Sequence, residues 1–143
     1  MWGLLALVVA VSAPLPARAA LGEDEAATIR RYGPDPERGT VNRKADFTLH
    51  WERKDRIITA AFVDGTCGMV TYAMKEGAGE IPVADVAAAL AENVGPDSAT
   101  WSEPIVGAAS TTWRRSDGKA TAIRIGDILM ISTKEFAARK PKQ

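Results

Sequence analysis

The stretch HWERKD at 50–55 returns as TWRRSD at 112–117, so Trp-x-Arg-x-Asp occurs twice in one register. The shift is 62 residues (113 − 51), and the same shift aligns much of the chain with itself. Ala26-Ala27 falls on Ala88-Ala89, Gly33-Pro34-Asp35 on Gly95-Pro96-Asp97, Thr59-Ala60 on Thr121-Ala122, and Thr71 on Thr133. Gly-Pro-Asp and tryptophan coinciding in one ungapped register indicate an internal duplication, with repeats over about 23–80 and 81–138.

Local signals follow that register. GEDEAATIRRYG opens with acidic residues and closes with Arg30 and Arg31, the charge order that a helix dipole favours, and Gly33-Pro34 supplies the stop. IPVADVAAALAENVGP places Val83, Val86, Leu90 and Val94 along one helical stripe, and Gly95-Pro96 follows it. After each helix come strands. FTLHW alternates, with Phe47, Leu49 and Trp51 on one face and Thr48 and His50 on the other. RIITAAFV and CGMVTYAM flank Asp64-Gly65, a strong hairpin signal because both turn positions require positive φ. STTWRR, KATAIRI and ILMISTKEF repeat the plan in the second half, separated by Ser116-Asp117-Gly118 and Gly126-Asp127. The expected fold is therefore α+β, a tandem duplicated unit of one helix plus a three-stranded antiparallel meander. A unit of about 60 residues without a disulfide is small for independent stability, so the two halves are expected to share one core.

MWGLLALVVAVSAPLPARAA has an apolar run ending near Val11, two prolines, and the small-x-small site Ala17-Arg18-Ala19. That is the order of a secretory signal peptide over 1–19, leaving a single α+β domain over 20–143 in the periplasm or medium. The run is too short to span a bilayer, and no cysteine follows it to carry a lipid, so no stable membrane anchor is expected after signal removal. Without Arg18 the basic residues number 17 (18 − 1) against 18 acidic, a balance that argues against nucleic-acid binding. Arg139-Lys140-Pro141-Lys142 reads as a solvated tail. One cysteine, Cys67, permits no internal disulfide, and its repeat partner is Leu129, so an apolar role is expected.

Catalytic chemistry finds little support. His50 is the only histidine, which rules out a histidine-pair metal site, and no serine or carboxylate lies at a recognisable spacing to make it a catalytic base. Glu23-Asp24-Glu25 reads as helix-start charge, and Gly77 and Gly79 lie in a loop without a phosphate-binding pattern. No cofactor or metal is expected, and no enzymatic activity. Trp51, Arg53, Trp113, Arg115 and His50 are the candidate binding residues, because tryptophan and arginine are enriched at interface hot spots. The alternative reading of the tryptophans is core packing, with each aspartate serving its turn.

The order of helix, Tyr-Gly-Pro stop, alternating strand, Asp-Gly hairpin, second helix, Trp-Arg-Arg-Ser-Asp-Gly-Lys-Ala and Ile-Ser-Thr-Lys-Glu-Phe resembles a group of small exported bacterial proteins without an assigned activity. The tandem plan is also similar in outline to β-lactamase inhibitor protein and to the small lipoprotein of the outer-membrane barrel-assembly machine. This chain lacks the disulfides of the inhibitor and the lipidated cysteine of the lipoprotein. The resemblance implies a binding role and carries over no residue. The expected function is an exported, non-enzymatic interaction module whose partner is another envelope or secreted protein; the alternative is a binder of a small molecule or cell-wall glycan.

Overall fold

A computed structural model describes residues 20–40, 42–95 and 97–143; the expected signal peptide at 1–19 lies outside them. The elements run α1 (Glu25–Tyr32), β1 (Glu37–Gly39), β2 (Phe47–Glu52), β3 (Arg56–Val63), β4 (Thr66–Met74), α2 (Val83–Glu92), β5 (Ile105–Val106), β6 (Thr111–Arg114), β7 (Ala120–Ile125), β8 (Ile128–Thr133) and α3 (Lys134–Ala138). All strands join one open antiparallel sheet in the order β1-β2-β3-β4-β8-β7-β6-β5.

This sheet-dominated architecture corrects the expected helix plus three-stranded meander. Each half contributes a fourth, outermost strand, β1 or β5, and the two four-stranded sets fuse where β4 pairs with β8. The short outer strands carry no alternating signal: they hold three and two residues, next to Pro36 and Pro104. Fusion follows from burial, because Val70 and Ile131, paired across the β4–β8 seam, are both fully buried. Two separate meanders would leave those apolar edges unpaired and wet. ILMISTKEF is also not one strand. Thr133 turns out of β8 and its side chain accepts the Phe136 amide at 3.0 Å, starting α3.

The remaining local chemistry is simple. Asp24 caps α1 by accepting the Ala27 amide at 2.8 Å. Asp64 and Gly65 both have positive φ, 51° and 76°, and make the tight β3–β4 hairpin. One face of the sheet carries Leu49, Trp51, Ile58, Phe62, Val70, Leu129 and Ile131 into the main core under α1 and α2. α3 lies on the opposite face, where Phe136 packs with Ala45, Ala61, Val63 and Met69 and covers one end. The basic tail is pinned across the same end, with Lys142 Nζ 2.6 Å from Asp46.

Candidate interaction surface

The repeated Trp-x-Arg-x-Asp serves as a clip between sheet and helix. Trp51 is 3% exposed; its Nε1 donates to the Gly33 carbonyl at 2.8 Å, and its ring lies 5.2 Å from that of Tyr32. Arg53 is exposed, yet its guanidinium donates to the Tyr32 carbonyl at the end of α1. In the second half Arg115 is buried, with Nη1 donating to the Asn93 carbonyl just past α2 at 3.0 Å and Nε donating to Asp117 at 2.9 Å. Each arginine thus satisfies a helix C-terminal carbonyl that has no partner within its own helix. The Arg115 guanidinium holds the Asp117 carboxyl below the usual carboxylate range. The halves differ in the tryptophan. Trp113 is half-buried against the core, and it is Trp101 whose Nε1 reaches the helix, donating to the Leu90 carbonyl at 2.7 Å. Trp101 falls outside the repeated motif, and its position on the self-aligned sequence holds Gly39, so no repeat signal marks it.

Trp51 and Arg115 therefore present almost no surface, and the five candidate residues do not converge. His50 lies on the other face of the sheet. Its ring bridges Thr48, at 2.9 Å from Nε2, and Thr59, at 3.0 Å from Nδ1.

That second face is the notable surface. On the four central strands β3, β4, β8 and β7, the residues alternating away from the main core are isoleucine, threonine, alanine, methionine, valine and serine, without one charge. The middle row crosses the sheet as His50, Thr59, Thr71, Met130, Ile123, Thr112 and Ile105. A neighbouring row holds Ile57, Ala73, Ile128 and Ile125, of which Ile57 and Ile125 are 39% and 47% exposed. Charges stand only at the flanks, with Glu37 opposite His50 on β1, Glu52 at the end of β2 and Arg114 at the end of β6. A solvated antiparallel face ordinarily alternates into charged and polar residues, so this composition marks a face suited to desolvation. Among the described residues only α3 and its neighbours cover part of it. Sequence alternation showed this face as the side opposite Trp51, but gave no sign that eight strands would make it continuous.

Other reactive groups are enclosed. Cys67 is fully buried and burial pushes its thiol up to about 12. The Tyr32 and Tyr72 hydroxyls bond each other at 2.9 Å in the core, and burial raises both, which ties α1 to β4. Among the described residues no group of three or more His, Cys, Asp or Glu side chains is placed to hold a metal, and no helix is long and apolar enough to cross a membrane. The chain matches no protein-family model, no curated protein and no solved structure.

Proposed function

We propose that the chain is an exported, non-enzymatic interaction module that binds another envelope or secreted protein through the sheet face opposite α1 and α2. The observation that carries this reading is the uncharged interior of that face over four adjacent strands. Size favours a protein over a small ligand. Seven inter-strand gaps of about 4.8 Å and three side-chain rows about 6.8 Å apart span roughly 34 by 14 Å, about 460 Å², before the end under α3 is subtracted. That is a little over half of the roughly 800 Å² which each partner contributes to a standard interface, the size of a small, transient protein contact. Threonines in the middle row supply hydrogen bonds that a docked backbone can meet, while Ile123, Met130 and Ile57 supply apolar contact.

The test places charge at the centre of the face. Thr71→Lys with Met130→Glu, compared with the wild type and with Val83→Glu on the distant α2, is used as bait against envelope and medium extract, each variant first shown to fold by circular dichroism. Val83 is 78% exposed, so it serves as a control for a surface change elsewhere. A protein retained by the wild type and by Val83→Glu but lost from the double variant is the expected result. Retention by the folded double variant removes this face as the binding surface.

A further inference from the structure

Where β8 runs into α3, a cavity of about 640 Å³ opens at the end of the sheet. Its walls include Leu21, Gly95 and Ala138, and its charged rim is formed by Lys119, Lys134 and Glu135 beside the buried Arg115. Volumes of this size are those of small-ligand sites. Gly95 sits at φ +81° directly over the Arg115 guanidinium, with a Cβ there predicted to fall 3.1 Å from Cζ, so this wall admits no side chain without displacement.

The lysines carry the argument. The Lys134 amide donates to the Lys119 carbonyl at 2.9 Å, continuing the ladder that pairs Ala120 with Thr133, so the two residues stand opposite one another. That backbone bond brings both residues to the mouth of the cavity, which each of them lines. Among the described residues neither ammonium has a carboxylate within 4.0 Å. The charge of Arg115 is already matched by Asp117, which leaves a rim with two cations against Glu135. We infer that this cavity is a binding site for an amphiphile with an anionic head, the head lying between Lys119 and Lys134 and the acyl chain against Leu21, Gly95 and Ala138. The head supplies a counter-charge to the two rim lysines, and the tail covers the apolar wall. This site lies apart from the open sheet face, so each can fail without the other.

The experiment titrates the full-length chain with dodecanoate below its micellar concentration, followed by amide chemical shifts. Dodecyltrimethylammonium supplies the same tail with opposite charge, and acetate the head alone. Saturable dodecanoate binding with shifts at Gly95, Lys119 and Ala138 is expected, with both comparison ligands at least 10-fold weaker. The exposed pair Lys119→Glu and Lys134→Glu should weaken dodecanoate at least 10-fold, and Ala138→Trp, which fills the cavity and leaves the lysines in place, should do the same. Equal binding of the cationic amphiphile, shifts confined to other surfaces, or no saturation overturns the assignment.

Discussion

Trp51→Ala is the substitution that separates a structural from a binding role for the repeated tryptophan. The side chain is 3% exposed and lies under α1, where its ring meets Tyr32 and its Nε1 meets the Gly33 carbonyl. Truncating a core tryptophan to alanine costs about 3–5 kcal/mol, and the orphaned carbonyl pushes this site toward the upper end. A domain of this length has on the order of 6–18 kcal/mol in total, so the variant should fold with a severely lowered margin. With a urea m-value of about 2 kcal/mol/M, the midpoint should fall by roughly 2 M. Trp113 is half-buried and no hydrogen bond joins its indole to a helix, so Trp113→Ala should cost about half as much. Urea titration followed by far-ultraviolet circular dichroism measures both without relying on the fluorophore that has been removed. A loss below about 1.5 kcal/mol at Trp51, or equal losses at the two positions, would refute the core assignment and the asymmetry between the halves.

Four further outcomes follow from the geometry. Arg115→Met should cost about 2–3 kcal/mol, because it leaves the Asn93 carbonyl and Asp117 without their shared partner, whereas Arg53→Met at its exposed repeat position should cost under about 1 kcal/mol; the same urea assay compares them. Gly68→Ala should destabilise by about 1–3 kcal/mol and speed proteolysis of α3, since a Cβ there falls 2.7 Å from Cδ2 of Phe136; an unchanged midpoint and cleavage rate would contradict the packing. Asp117, Asp55 and Asp46 are held below the ordinary carboxylate range by Arg115, Arg56 and Lys142 respectively, so the folded state binds these protons less readily than the unfolded one. Their stabilisation is present above the ordinary aspartate range near pH 4 and is lost as pH falls from there through the lowered folded-state values, and Asp117→Asn should flatten that acid limb in thermal melts from pH 5 to pH 2. Cys67, buried with its thiol raised to about 12, should react with an aromatic disulfide only as fast as the protein opens, with a sharp acceleration at the urea midpoint.

Much of the local structure was legible in the residues. Acidic starts and basic ends located α1, alternation in FTLHW assigned Trp51 and His50 to opposite faces, and Asp64-Gly65 located its hairpin. Each of these signals is carried by residues within a few positions of one another, so no distant contact is needed to interpret it. The Trp-x-Arg-x-Asp repeat was equally plain, but its role was not, because the partners of its arginines are the carbonyls of Tyr32 and Asn93, some twenty residues away.

The sequence by itself determined α1 and α2, the central hairpins and the two-sidedness of β2, since periodicity and turn chemistry act over short distances. Only the tertiary structure decided that two- and three-residue strands complete the sheet, that β4 and β8 fuse the halves, and that Thr133 starts a helix. It also decided that Trp51 and Arg115 are enclosed, that the uncharged residues of four strands make one face, and that Lys119 stands opposite Lys134 at a cavity rim. Edge strands are stabilised by the neighbour they pair with, and exposure depends on what other segments cover, so neither is written in the local pattern of a chain.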